Sequence, residues 1–83
     1  MNRIAVISAI LENPKECQLQ FNEVVASFRG NTKGRMGIPL DEEISVISIV
    51  VTGSLDEINS LTGKLGKIQG VTVKTAIAKK EIE

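Results

Sequence analysis

Residues 4–8 read IAVIS, and forty positions later residues 44–48 read ISVIS. The same offset relates the segments that follow, down to a glycine at the end of each copy. The later matched pairs are Phe21/Leu61, Val25/Leu65, Phe28/Ile68 and Gly30/Gly70. A doubled unit packs two sets of equivalent elements on one core, which leaves few arrangements for so short a chain.

The first copy predicts a strand followed by a helix. Arg3–Leu11 is a short run rich in Ile, Val, Ala and Leu, which is typical of a strand. Asn13 then suits the N-cap of a helix, with Pro14 in the first helical position and Glu16 placed to reach back to the N–H of the cap. We expect Gly30 to end this helix in a left-handed conformation. Its buried stripe is predicted to be Cys17, Phe21, Val24, Val25 and Phe28.

The second copy predicts another helix with the same spacing. Ser54 and Glu57 form a capping-box pattern at its start, and we expect Gly70 to close it. Gly63 and Gly66 lie inside it, where they either permit close approach by a neighbouring element or mark an early loosening of the helix. Its buried stripe is predicted to be Leu55, Ile58, Leu61, Leu65 and Ile68.

Three more strands complete the pattern. Ile44–Val51 is β-branched and apolar throughout, as a central strand would be. Lys33–Ile38 is interrupted by two glycines and closed by Pro39, which cannot donate to a ladder, so it belongs at a sheet edge. Val71–Ala78 alternates only partly, and we expect the charged tail, residues 79–83, to run out into solvent.

Two successive strand–helix–strand units predict the α+β class, as one ferredoxin-like βαββαβ sandwich over residues 1–83. Right-handed crossovers give an antiparallel sheet of order 4-1-3-2 with two helices on one face. The central strands are apolar on both faces, and the helices can cover only one of them. We therefore expect a homo-oligomer, a dimer or tetramer, joined through the open sheet face or the strand edges. The alternative is a monomer in which the tail or the 39–43 turn covers that face.

Composition excludes several classes of function. Ten basic and ten acidic residues cancel, and only two aromatic residues are present, both on the stripe of the first helix, so a nucleic-acid partner is not expected. Histidine is absent, which removes the usual general base near neutral pH and the commonest transition-metal ligand. The apolar runs fall far short of the roughly 20 residues that span a bilayer, and no signal peptide is recognisable. We expect a cytoplasmic chain that is not an enzyme, binds no metal or cofactor, and keeps its single Cys17 as a small buried hydrophobe.

Charged residues cluster at two places. Arg29, Lys33 and Arg35 form a basic stretch that could touch phosphate or carboxylate groups. The run Asp41–Glu43 could hold a hard cation, but its spacing lacks the alternating oxygen ligands of a calcium loop, which favours a solvated turn. Lys64 on the second helix is expected to face solvent or an anionic partner.

Two longer motifs stand in order along the chain: RMGIP at residues 35–39, followed by Glu42 and Glu43, and LTGKLGKIQGVTVK at residues 61–74. With them the chain resembles the iron-only hydrogenase system regulator family over nearly its whole length. The resemblance implies a fold similar to ACT domains and to the ligand-binding half of the nickel-responsive repressor, which form oligomers through their sheets. It brings no catalytic residue. Because the chain lacks histidine and a DNA-binding segment ahead of its first strand, nickel sensing and autonomous DNA binding are not expected.

Two functional hypotheses follow. The first is a regulatory module linked to hydrogenase systems, with a small ligand held between subunits near the helix starts or the 35–43 turn, which has no counterpart in the repeat. Its candidate ligand-binding residues are Arg35, Gly37, Pro39, Glu42 and Glu43. The alternative is a structural or adaptor protein that binds another protein through its sheet edge or second helix and uses no ligand.

Overall fold

The computed structural model describes residues 1–82 of the chain. Four strands and two helices alternate in the predicted βαββαβ order. The elements are β1 (Asn2–Glu12), α1 (Pro14–Ala26), β2 (Asn31–Pro39), β3 (Ile44–Gly53), α2 (Leu55–Gly66) and β4 (Val71–Ile82).

The four strands form one antiparallel sheet in the order β2-β3-β1-β4. This is the predicted order 4-1-3-2 written from the other edge. The two copies of the repeated pentapeptide lie side by side at its centre, with Ser8 directly opposite Ser48. β1 and β3 each have a neighbouring strand on both sides, so the two most apolar strands occupy the two inner positions of the sheet.

The core lies between one face of the sheet and the two helices. Alternate residues of the central strands are buried there, including Ile7, Leu11 and Ile49. Phe21 of α1 and Leu65 of α2 pack against them and are fully buried. The helical stripes therefore meet the same face of the sheet, and the opposite face is left without a covering layer.

The start of α1 differs from the prediction. Asn13 has a φ of 54° and its side chain makes no capping hydrogen bond, so the expected capping box with Glu16 does not form. Instead the backbone N–H of Glu16 donates to the carbonyl of Asn13 at 2.9 Å. Asn tolerates the left-handed region better than most residues, and Asn13 adopts that conformation and does not cap the helix. Pro14 does occupy the first helical position.

The start of α2 agrees with the prediction. The Ser54 hydroxyl accepts from the N–H of Glu57 at 3.1 Å, and the Glu57 carboxylate accepts from the N–H of Ser54 at 2.9 Å. Two N–H groups at the helix end are thereby satisfied reciprocally.

Both helices end earlier than the sequence predicted. The first ends at Ala26 rather than near Gly30, and the second ends at Gly66, before Gly70. Gly70 does adopt a left-handed φ of 88°, but in the loop that leads into β4. Gly63 has no neighbouring atom within 4 Å of the place a Cβ would occupy, so within α2 it permits no close approach.

The C-terminal residues also differ from the prediction. The charged residues Lys79, Lys80 and Glu81 do not leave the sheet, since β4 continues to Ile82, which pairs with Asn2. Glu83 of the predicted tail lies outside the described residues. The register shifts on the way, with residues 78–80 of β4 set against the single residue Ile4 of β1. Backbone pairing at this edge is compatible with charged side chains because these can project into solvent. No helix in the described part of the chain is long and apolar enough to cross a membrane.

Candidate functional site

The uncovered sheet face is the largest feature that the fold leaves without an intramolecular role. Its side chains alternate along β1 and β3 with those of the core and include Ile4, Val6 and Ile10. The edge strand β2 extends it with Met36 and Ile38, which are opposite Ser48 and Val46 in the register. The exposed apolar residues of this face are 38–58% accessible: Ile4, Val6, Ile10, Met36, Ile38 and Val50. An exposed group of apolar side chains of this kind is typical of an interaction surface.

A group of loops meets at one end of the sheet, where β1 ends. The N–H of Glu12 donates to the carbonyl of Gly70 at 2.7 Å, and the N–H of Asn13 donates to the carbonyl of Glu43 at 2.8 Å. These two bonds join the β1–α1 loop to the α2–β4 loop and to the β2–β3 turn. We call this arrangement of residues 12–16, 40–43 and 69–70 the loop cluster.

The loop cluster borders a cleft of about 560 Å³. Its lining is polar: Glu12, Asn13, Glu16, Cys17, Gln20, Gln69 and Gly70. Glu12 also stands at the end of the uncovered face, opposite Ile44 of β3, so the cleft and the face share a border. The volume is within the range of small-molecule sites.

Cys17 forms the apolar part of the cleft wall and is nearly inaccessible to solvent. Its Sγ lies 3.6 Å from the carbonyl oxygen of Glu12 and 3.7 Å from that of Asn13, to which it can donate. Burial raises the pKa of the Cys17 thiol, and the neighbouring Glu16 carboxylate adds to this. A thiol with a raised pKa carries little thiolate at neutral pH, so Cys17 acts as a small packed side chain and not as a nucleophile.

The candidate ligand-binding residues divide into two groups. Glu42 and Glu43 lie in the loop cluster, and Pro39 is the last residue of β2 beside it. Arg35 and Gly37 lie farther back along β2, opposite Ile49 and Ile47 on the helix side of the sheet. Pro39 lies four residue steps along the strand from Arg35, a distance of about 13 Å. The structure therefore does not bring the arginine and the two glutamates together.

Arg35 is engaged with α1. One of its guanidinium nitrogens donates to the Asn22 side-chain oxygen at 2.6 Å, and the guanidinium carbon lies 5.7 Å from the centre of the Phe21 ring. It shields the edge of the core where α1 does not reach β2. Spacing alone could not show this contact, because it joins a strand to a helix thirteen residues away.

Asp41 shapes the turn that carries the two glutamates. Its carboxylate accepts from the N–H of Glu43 at 2.7 Å and from the N–H of Ile44 at 2.9 Å. This is an Asx turn, in which the side chain mimics a backbone carbonyl. Within residues 1–82, no three Cys, Asp or Glu side chains are grouped closely enough to hold a metal ion.

A smaller cleft of about 140 Å³ lies between the end of α1 and the side of α2. Arg29 and Lys64 both line it, together with Ser27, Phe28, Glu57, Ser60 and Leu61. Sequence reasoning singled out both basic residues separately but gave no sign that they share a surface. Lys33 of the same basic stretch is exposed on β2.

Comparison with known proteins assigns the chain to a family. Residues 3–75 match the TM1266-like family, described as "Iron-only hydrogenase system regulator, putative". The chain belongs to this family. No curated protein sequence is significantly similar to it. The resemblance carried by the 35–43 and 61–74 motifs is thereby confirmed.

Solved structures agree with the assignment. TM1266 from Thermotoga maritima is 34% identical, with a TM-score of 0.87 over 95% of this chain and 100% of that one. The ACT domain of the GTP pyrophosphokinase from Chlorobium tepidum is 24% identical, with a TM-score of 0.80 over 92% of this chain and 100% of that domain. CPII from Thiomonas intermedia K12, solved with ADP, AMP and acetate, is 13% identical, with a TM-score of 0.51 over 96% of this chain and 93% of that one. The last two show a shared fold, so this TM1266-like protein has an ACT-like architecture.

Proposed function

We propose that this TM1266-like chain is a regulatory module of an iron-only hydrogenase system. It works as a homo-oligomer joined through its uncovered sheet face, and a small ligand held between subunits sets its state. Family membership supports the regulatory role. The uncovered apolar face is the single observation that carries the mode of action.

The face is large enough to drive association. Fully burying an aliphatic side chain contributes about 1.5–3 kcal/mol, so covering the exposed fractions of its six apolar side chains contributes about 4–8 kcal/mol per subunit. Two subunits together gain about 8–16 kcal/mol, against an association cost estimated at about 4–15 kcal/mol. The balance suits a dimer whose affinity a ligand can shift.

The cleft at the loop cluster is the proposed ligand site, because it borders this face. Glu12 lines the cleft and ends a strand of the face, so a subunit packed there stands beside the opening. Glu42 and Glu43 of the adjoining turn are proposed to contact the ligand or the neighbouring subunit. Arg35, Gly37 and Pro39 are proposed to shape the edge of the site, with Arg35 holding β2 against α1.

The association is tested by a matched pair of glutamate substitutions. Ile10→Glu places a charge on an inner strand of the uncovered face, whereas Leu19→Glu places the same charge on an exposed position of α1. We expect native mass spectrometry and sedimentation to show a dimer or tetramer for the wild type and Leu19→Glu, and monomers for Ile10→Glu. A monomeric wild type, or an Ile10→Glu variant that associates normally, refutes this route of association.

The ligand is tested in the same spectra. The chain purified from its native host should retain an additional mass under gentle ionisation, and Glu12→Gln with Glu16→Gln should reduce the retained fraction. Recovery of an unliganded chain bound to another protein favours the adaptor hypothesis. The edge strand β2, whose nine residues are all exposed, offers a surface for such a partner.

A further inference from the structure

The uncovered face has a regular pattern across its four strands. Residues paired across the sheet form rungs, read here in the order β2, β3, β1, β4. The three complete rungs are Ile38–Val46–Ile10–Thr72, Met36–Ser48–Ser8–Lys74 and Gly34–Val50–Val6–Ala76. A polar rung thus lies between two mainly apolar rungs, and its two serines occupy the centre of the face.

Two symmetric arrangements can join this face to a second copy. Aligned sheet packing keeps the strand directions of the two sheets within about 30° of each other, and the twofold axis lies in the interface, either parallel or perpendicular to the strands. A parallel axis sets β1 against the partner's β3 and β2 against the partner's β4, so each rung meets its own reversed copy. A perpendicular axis sets each strand against itself and exchanges the two outer rungs.

Lys74 distinguishes the two arrangements. It is the charged residue of the three complete rungs, at the β4 end of the polar rung. A perpendicular axis brings it close to the partner's Lys74, where the two like charges repel. A parallel axis sets it against the partner's Met36, along which its methylene stem can pack while the ammonium group reaches solvent.

The rest of the pattern is compatible with a parallel axis. Ser8 then meets the partner's Ser48, and each hydroxyl can act as donor and acceptor, so the polar centre is satisfied by its own copy. Ile10 meets the partner's Val46, and Val6 meets the partner's Val50, so apolar rungs cover apolar rungs. We propose that two copies pack face to face with the twofold axis parallel to the strands. This arrangement rests on the proposed function, in which the uncovered face joins the subunits.

This orientation makes the ligand site a shared one. Both loop clusters lie at the same end of the dimer, since a parallel axis leaves the strand ends level. The two clefts that contain Glu12 are then neighbours across the interface, and one ligand or a pair of ligands can bridge the subunits. The turn carboxylates at 41–43 also come to the same end, but they are exposed and lie beyond the strands, where physiological salt screens repulsion between charges more than about 8 Å apart.

Opposite charges at Met36 test the orientation. Met36 is exposed on an edge strand, so Met36→Glu and Met36→Lys both leave the core untouched and place opposite charges at one position. In the proposed dimer each new side chain faces the partner's Lys74, twice per dimer. We expect Met36→Glu to dimerise about tenfold more tightly than Met36→Lys in sedimentation equilibrium at low salt. The preference should reverse when Lys74→Glu is added to both.

Each outcome decides a different statement. Equal weakening by Met36→Glu and Met36→Lys, with no reversal in the Lys74→Glu background, overturns the parallel axis. If Ile10→Glu still gives monomers in that case, the proposed function stands with another orientation. A wild-type chain that is monomeric refutes both. Circular dichroism of each variant checks that the fold is unchanged.

Discussion

Gly70 provides the sharpest test of the loop cluster, because alanine is disfavoured there for two independent reasons. Its φ is 88°, a conformation that costs an L-residue about 1–3 kcal/mol. A Cβ would also lie 2.8 Å from the carbonyl oxygen of Glu12. That oxygen cannot move away easily, since the N–H of the same residue donates to the carbonyl of Gly70 at 2.7 Å. We expect Gly70→Ala to lower the free energy of unfolding by about 2–4 kcal/mol, a large share of the roughly 5–15 kcal/mol of a typical domain.

The same substitution at Gly63 is the matched control, and it should have the opposite sign. Gly63 lies inside α2 with nothing within 4 Å of its Cβ position, so Gly63→Ala should stabilise the chain by about 0.5–1 kcal/mol. Urea unfolding followed by far-UV circular dichroism measures both, at one protein concentration because association adds to stability. The reasoning fails if Gly70→Ala lies within about 0.5 kcal/mol of the wild type, or if both variants are destabilised alike.

Three further predictions concern single side chains. Ser54→Ala should lower the free energy of unfolding, measured in urea, by about 1 kcal/mol because it removes the acceptor of the Glu57 N–H. Asn13→Gly should be neutral or stabilising, because the left-handed backbone there has no side-chain cap to lose. An equal loss in both variants would contradict the two cap geometries. Phe21→Ala should cost about 3–5 kcal/mol, since the ring is fully buried, and a loss below about 1 kcal/mol would contradict that packing. The pKa of the Cys17 thiol is raised in the folded chain, so as pH rises the unfolded chain loses its thiol proton first. The difference in free energy of unfolding between the wild type and Cys17→Ala should therefore be largest below pH ~8.5 and decrease above it. Urea titrations on either side of that pH measure the difference, and a gap that widens with pH would show the opposite shift.

The central part of the fold could be predicted from the sequence because several signals agreed there. The β1 and β3 runs are apolar on both faces, which places them inside the sheet, and their echo places them side by side. The spacing of Ser54 and Glu57 predicted a capping box, and the structure contains it. The glycines and Pro39 in β2 likewise left that strand only an edge position.

The predictions failed where one residue type serves two purposes. Asn is favoured both as an N-cap and in the left-handed region. In the structure the backbone N–H of Asn13 donates to the carbonyl of Glu43 in the β2–β3 turn, a contact between distant segments that the local pattern does not show. Lys79, Lys80 and Glu81 are charged, which predicts a solvated tail, yet an edge strand pairs through its backbone whatever its outward side chains are. Arg35 and Glu42 are apart because Arg35 lies within β2 and contacts α1, whereas Glu42 lies beyond the end of the strand in the β2–β3 turn. Nearness in sequence does not show that.

The irregular pairing at the end of β4 has a consequence for assembly. An exposed strand edge carries unpaired N–H and C=O groups that can pair with a strand of another chain, and a sheet that pairs at both edges can extend without limit. Three β4 residues set against one β1 residue bend that edge out of register, and Lys79 and Lys80 stand at the bend. Another chain therefore finds a regular template on this side only along residues 71–77. The register shift and the two lysines shorten the edge along which an assembly could lengthen from β4.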